Sequence, residues 1–429
     1  MPVTQLKYGT ACLPCPLPAA ALLNARRPAQ LPAPAVAIRA ALAAPLGTPP
    51  LAELIAPGER VVIVTSDITR YTASEHYLPI LADELNRCGV ADTDLTILIG
   101  LGIHRRQSAA EHRQIAGTLY GRVRIEDHDC DDPAMLVDLG RTASGLPVQI
   151  NRRVVEADRV IVTGTIGLHY FAGFGGGRKG LVPGVASRAT CMATHFAIFN
   201  PPEVGGRHPG ACPAALTGNP VHEAILAAAR MVAPDFLLNT VLTADKQIAG
   251  VFCGDLEQAH LAGCSLAREL YVAPLAQPVD LAVVSCGGHP KDINFIQAHK
   301  ALDYAVQAVR PGGTVILLAA CPDGFGNPTF FDWFRHQELT AFEAALRQGY
   351  EINGQTAYST LCKARTWRII LISAFSAAET ARMGMEKAAD LDRALQMAYQ
   401  HLPADPAIVV IPDGGTVLPV IQQQQQQRL

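Results

Sequence analysis

The chain has 429 residues, more than one hydrophobic core usually organises, so two domains of ordinary size are expected. Its 35 basic and 38 acidic residues leave a net charge of −3 with no basic block to track phosphates, which argues against a nucleic-acid partner. The opening Met1-Pro-Val-Thr-Gln-Leu-Lys7 lacks a signal-peptide pattern, and no apolar run reaches the roughly 18 residues that span a bilayer, so a cytoplasmic protein without membrane association is expected.

Eleven cysteines are scattered from Cys12 to Cys362. The C-x-x-C pair of Cys12 and Cys15 has no second pair to complete a zinc site, so reduced structural thiols are expected. Residues 32–57, rich in Ala and Pro but broken by Arg39 and Glu53, suggest a short helix between loops. Near-continuous apolar runs follow at 60–66, 95–100 and 159–164, as expected of strands buried on both faces of a parallel sheet. Helical stretches such as Tyr77–Cys88 separate them. A helix is predicted over Leu256–Leu270, and the prolines in Val272-Ala-Pro-Leu-Ala-Gln-Pro278 are expected to break regular structure.

Beyond that break, strands are predicted at 281–285, 314–319, 368–373 and 407–411, with helices near 296–310, 336–347 and 378–401. The expected organisation is therefore two α/β domains with mostly parallel sheets: residues 1–270, a hinge at 271–279, and a smaller domain at 280–421. Residues 422–429, dominated by glutamine, read as a disordered tail.

In open parallel sheets, ligands collect at the carboxyl ends of strands. The first three apolar runs lead into Asp67-Ile-Thr-Arg70, into Leu-Gly-Ile-His104-Arg105 and into Thr-Ile-Gly-Leu-His169. Two histidines, a carboxylate and arginines could thus meet at one cleft. The richest stretch runs from His169 to Gly184, where Gly175, Gly176 and Gly177 could offer backbone N–H groups to a phosphate beside the positive charge of Arg178 and Lys179. It is not a P-loop, because Gly180 follows Lys179 where Ser or Thr would be required. His195, sixteen residues after Lys179, lies in a predicted helix over 186–199 and could ligate a metal. Phe171 and Phe174 could either line an apolar pocket or pack the loop down. In the second domain, Gln297 and Lys300 fall on one face of a helix and could grip a carboxylate.

Taken together, these motifs resemble the lactate racemase family: Asp-x-Thr-Arg at 67–70, Gly-x-His ending at His104, His169 followed by Gly-Gly-x-Lys179, then His195, and Gln-x-x-Lys at 297–300. The resemblance spans residues 67 to 300. It departs from the family pattern at Tyr71, where proline is common, at Ile296, where tyrosine is typical, and at Gly175, where serine is usual.

The resemblance implies a pyridinium-derived mononucleotide carrying thioamide and thiocarboxylate sulfur donors, attached covalently to Lys179 and lined by Thr69, Gly175, Gly176, Gly177 and Arg178. His195 would complete planar nickel coordination by that pincer. It further implies His104 and His169 as the acid/base pair, Asp67 as their charge-stabilising neighbour, and Arg70, Gln297 and Lys300 as the carboxylate grip. The implied reaction inverts the α-carbon of a 2-hydroxy acid, lactate or a larger analogue, through reversible hydride transfer, with closure about 271–279 excluding water. Enzymes that synthesise the cofactor would be transient partners.

Two other readings are compatible with parts of this pattern. A cofactor-binding protein without racemase activity would need Lys179 and His195 but not both His104 and His169. A nicotinamide-dependent 2-hydroxy acid dehydrogenase would be expected to carry G-x-G-x-x-G after its first strand, which this chain does not.

Overall fold

The computed structural model describes residues 4–17 and 20–422. The chain divides into two compact units, one of residues 27–198 and 210–270, the other of 1–26, 199–209 and 271–429. Residues 1–26 and 199–209, which chain order alone assigns to the first domain, group with the second.

In the first unit, β1 (Val61–Ser66), β2 (Leu95–Gly100), β3 (Arg124–Asp127), β4 (Arg159–Ile166), β5 (Phe236–Leu242) and β6 (Ile248–Gly254) form one sheet in the order β6-β5-β4-β1-β2-β3. Every neighbouring pair is parallel except β5 with β6. The register sets Val61 against Leu95 and Ile63 against both Ile97 and Ile161. Ile63, Ile97 and Ile161 are fully buried, each contributing on the order of 2 kcal/mol of hydrophobic stabilisation. Helix α1 (Ser74–Arg87) covers one face with Tyr77, Leu78, Leu81, Ala82 and Leu85, a stripe at helical spacing.

The chain steps from β1 outward to β2 and β3, then returns to lay β4 against the other edge of β1. That reversal makes the carboxyl ends of β1 and β4 the place where loops diverge and leave a site. Asp67 follows β1, and His169 follows β4.

The second unit is built on β7 (Val279–Ser285), β8 (Val309–Leu318), β9 (Arg368–Ile372), β10 (Glu386–Lys387) and β11 (Ile408–Ile411). They are parallel and ordered β10-β9-β8-β7-β11, with the short strand Ala21–Leu22 outside β11. Helix α5 (Phe295–Ala305) links β7 to β8 and is capped by Asn294, whose side chain accepts from Gln297 N at 3.1 Å.

Several expectations change in detail. Val272–Leu275, expected to be irregular, is a strand paired in parallel with Leu418–Ile421; in a two-stranded sheet Pro274 has no second neighbour to deprive of a bond. The helix expected over 378–401 is two, Ala377–Arg382 and Leu391–Tyr399. Gly384 at φ +81° ends the first, Glu386–Lys387 joins the sheet, and Asp390 caps the second. The single helix expected within 32–57 is likewise two, Pro34–Ala43 and Leu51–Leu54. Helix α6 (Gly354–Thr366) was not expected: it is buried nearly all round, so its sequence carries no amphipathic period.

All eleven cysteines are free thiols. Among the described residues no helix is long and apolar enough to cross a membrane. The expected tail lies outside the described residues, apart from Gln422.

Candidate active site

The loop after β1 is organised by Asp67, which is 3% exposed. Its Oδ1 accepts from Thr69 N at 2.8 Å and from Thr69 Oγ1 at 2.5 Å, while its carbonyl accepts from Arg70 N at 3.0 Å. Its Oδ2 faces His104 Nδ1 at 2.5 Å. Burial pushes the Asp67 carboxyl up, but the hydrogen bond and charge of His104, the Thr69 hydroxyl and the Arg70 charge outweigh it and hold the group below the usual carboxylate range. An ionised carboxylate at Nδ1 fixes that nitrogen as N–H, so whenever the His104 imidazole is neutral its lone pair is at Nε2. The Thr69 side chain is therefore spent on Asp67. Arg70 is exposed and spans back to Thr69, with its Nη1 3.2 Å from both the carbonyl and hydroxyl oxygens.

His169 belongs to a small hairpin in which Leu168 and His169 pair with Phe174 and Gly173. Its Nδ1 accepts from Ala172 N at 3.2 Å, so in this state its Nε2 carries the proton. The two histidines thus present opposite chemistry at Nε2, a lone pair on His104 and an N–H on His169.

The glycine loop is held against the protein more than expected. Gly175 N donates to Gly167 O at 2.8 Å, and Gly177 N donates to Asn239 Oδ1 at 2.7 Å, so these two N–H groups are engaged within the fold and not presented to a phosphate. Gly176 and Gly177 have φ of +68° and +53°, and a Cβ on Gly177 would stand 2.7 Å from the His260 ring. The glycines are required here by backbone conformation and close packing. Arg178 is 1% exposed: its Nη2 donates to Ala172 O at 3.0 Å and Phe174 O at 3.3 Å, and its Nη1 lies 2.9 Å from His260 Nε2. Burial pushes its guanidinium down to about 10. Arg178 is thus a buried cation that pins the loop. Phe174 is fully buried and Phe171 2% exposed, so both pack the loop down.

Lys179 is half-buried; burial, with the charges of Arg178 and Arg70, lowers its amine to about 7. His195 lies near the end of α2 (Arg188–Phe196), capped by Ser187. Its Nδ1 donates to Cys191 O at 2.7 Å, so its Nε2 carries a lone pair. Burial, with Lys179 and His104 nearby, pushes the His195 imidazole down to about 4. Lys179 thus lies within range of the Arg70 charge, and His195 within range of Lys179 and His104, all in the first unit. Gln297 and Lys300 lie in the second unit on α5, where Lys300 Nζ donates to Gln297 Oε1 at 2.7 Å, the shared face that their spacing predicts.

Comparison with known proteins bears on what this arrangement is. The lactate racemase N-terminal domain model matches residues 8–206, and the lactate racemase C-terminal domain model matches residues 275–419. The chain belongs to the lactate racemase family, a family of isomerases. The lactate racemase of Thermoanaerobacterium thermosaccharolyticum is 32% identical over 388 residues, covering 89% of each chain. That of Lactiplantibacillus plantarum is 33% identical over 381 residues, covering 87% of this chain and 88% of the relative. The solved lactate racemase apoprotein from T. thermosaccharolyticum superposes with a TM-score of 0.88 at 30% identity, covering 97% of this chain and all of the other. A Thermotoga maritima protein at 19% identity and TM-score 0.62 shares the fold.

This lactate racemase family member also uses residues that sequence reasoning missed. Asn239 is fully buried in β5 and holds Gly177; its signal was a lone amide within the apolar run Phe236–Leu242. Gln107 accepts from Ile68 N at 3.0 Å and so braces the Asp67 loop, but no local pattern marks it. His260, against Arg178 and Gly177, comes from a helix about eighty residues downstream, a separation that only folding closes.

Proposed function

We propose that this chain racemises or epimerises a 2-hydroxy acid, lactate or a larger analogue, in the cytoplasm, with nickel held in a pincer nucleotide attached to Lys179. The observation that carries the reading is the Asp67–His104 couple set beside a neutral-leaning lysine and a histidine with its Nε2 lone pair available.

The residues fit that group on chemical grounds. Among the described residues no three His, Cys, Asp or Glu side chains gather to hold a metal, so a nickel ion at His195 would need its other donors from a non-protein ligand. His195 is neutral near pH 7 and offers Nε2; Lys179, lowered to about 7, has a substantial neutral fraction able to form a covalent bond. When bound, the pincer nucleotide supplies an acceptor that takes the α-hydrogen as hydride and returns it.

The chain's own part is proton handling and positioning. His104 takes the substrate hydroxyl proton at Nε2, and the imidazolium so formed is stabilised by the ionised Asp67 carboxylate at Nδ1. His169 faces the same oxygen from the other side: entering as imidazolium, with its Nδ1 released from Ala172 N, it returns a proton to form the opposite enantiomer, so His104 ends protonated and His169 neutral, and the reverse reaction exchanges the roles. Arg70 in the first unit, and Gln297 with Lys300 in the second, each offer donors suited to a carboxylate. Engaged as they are with Asp67, Gly167 and Asn239, the Thr69 side chain and the N–H groups of Gly175 and Gly177 shape the site around Lys179 instead of binding a phosphate directly. Gly176 and Arg178 complete that wall, and the enzymes that make the nucleotide are transient partners.

The test is co-expression of the full chain with pincer-synthesis enzymes, then the mass of the Lys179 peptide and chiral chromatography of D- and L-2-hydroxy acids. A nucleotide-sized adduct on Lys179 with interconversion of enantiomers is expected. An adduct without racemisation of any 2-hydroxy acid would favour a cofactor carrier, and turnover dependent on added NAD would favour a dehydrogenase.

A further inference from the structure

One aromatic ring stands among three of the groups assigned above. Phe171 packs edge-to-face on His169, with centroids 4.5 Å apart at 85°, and against His195 at 5.4 Å and 66°. The Lys179 ammonium nitrogen lies 6.0 Å from its centroid. Tyr170 packs on the same ring at 4.6 Å and 88°, and the ring is 2% exposed. The backbone beneath is anchored as well: Phe171 O accepts from Asn219 Nδ2 at 3.0 Å, and Asn219 is fully buried at the cap of α3 (Pro220–Val232).

An imidazole turns about its outer side-chain bond over a broad, soft range, so both the bond from Ala172 N to its Nδ1 at 3.2 Å and the ring packed on its side bear on where the His169 nitrogens point. A proton-transferring nitrogen has to be aimed to within a fraction of an ångström. We infer that Phe171 is a positioning residue of the reaction: its ring fixes the bearing of the His169 imidazole and keeps it apart from His195 and the Lys179 amine. This rests on the racemase reading for its effect on turnover, but not for its effect on the two side chains. The ring packs on His169 and His195 and lies 6.0 Å from the Lys179 nitrogen, so its loss should disturb all three, whereas a residue that merely filled the core would leave them as they are.

The experiment compares wild type, F171L and F171Y as full chains, with folding checked by circular dichroism and Tm. In the unloaded chains, imidazole NMR reports the ring motion of His169, and pulse labelling with acetic anhydride followed by mass spectrometry reports Lys179 reactivity. In F171L, the His169 signals should broaden or double and Lys179 should label at least about threefold faster. In the loaded chains, kcat should fall on the order of tenfold to a hundredfold with KM changed by less than about threefold. F171Y, which keeps the ring, should stay near wild type in all three readouts. A folded F171L with unchanged His169 signals, unchanged Lys179 labelling and kcat within twofold of wild type would overturn the proposal. Should F171L not fold, F171M fills the site in its place with the same expectations; if neither folds, the ring serves the core and the proposal falls. The expected NMR and labelling contrast between wild type and F171L, found together with a loaded wild type that racemises nothing, would sink the racemase reading and leave the positioning of the two side chains standing.

Discussion

Asp67 Oδ2 lies 2.5 Å from His104 Nδ1, joining the loop after β1 to the loop after β2 through a carboxylate that is almost wholly buried. Charge at that position is what a general base needs when it becomes an imidazolium. Asp67→Asn keeps the shape and removes the charge, so kcat should fall on the order of 10²- to 10⁴-fold with little change in fold, as measured by chiral chromatography and Tm. A variant retaining more than about a third of wild-type kcat would remove Asp67 from the mechanism.

The same carboxylate makes stability depend on pH. Its pKa is lower in the folded chain than the ordinary 3.8, so its stabilising contribution is present above that value and is lost as pH falls through the folded pKa. Denaturant titrations from pH 6 down to pH 2 should show wild type losing more stability than Asp67→Asn below about pH 4; parallel curves would contradict it.

Lys179 runs the other way. Its amine is lowered to about 7 in the fold against an ordinary 10.5, so between those values the unfolded chain binds the extra proton and stability rises with pH. Lys179→Met should be more stable than wild type at pH 7 and should lack the rise between pH 7 and 10. The rate at which small acylating reagents modify Lys179 should climb through pH 7 and level off above it. A half-point near pH 10 in the labelling curve would remove the activated amine from the proposal.

His195 offers one nitrogen outward because Cys191 O holds the other. His195→Ala, purified after co-expression with the pincer-synthesis enzymes, should retain nickel at less than about a tenth of the wild-type ratio per chain, by elemental analysis of the desalted protein. Equal nickel content would place the metal elsewhere.

In the second unit, Asp303 on α5 is 1% exposed and bonds Arg207 Nη1 at 3.1 Å and Lys363 Nζ at 2.5 Å. Burial pushes its carboxyl up, yet the charges of Lys363 and Arg207 outweigh this and bring it to about 2. Asp303→Asn leaves those cations without their counter-charge and should cost about 3 to 5 kcal/mol in urea unfolding at neutral pH. A loss below about 1 kcal/mol would mean that solvent reaches the pair.

Legibility in the sequence followed the local physics. Unbroken β-branched runs such as Val61–Val64 and Val160–Val162 need burial on both faces, so the strands and their parallel pairing are legible in the sequence. Where a polar residue follows such a run, strand direction alone sends it to the sheet's carboxyl end, which is where Asp67, His104 and His169 lie. Helix α6 was hidden, because an element buried on all sides has no period to detect.

What only the tertiary structure decided are the relations between residues far apart in the chain. Nothing local tells that Asn239 would take the N–H of Gly177, that His260 would face Arg178, or that residues 199–209 would group with the second unit. Nor does sequence reveal that the glycine loop is spent on internal contacts while Lys179 beside it stays half-buried. The reason is physical: residue types and periodicity fix which groups must leave water and where strands end, but hydrogen-bond partners, tautomers and shifted pKa values depend on the three-dimensional field that exists only once the sheet has brought those loops together.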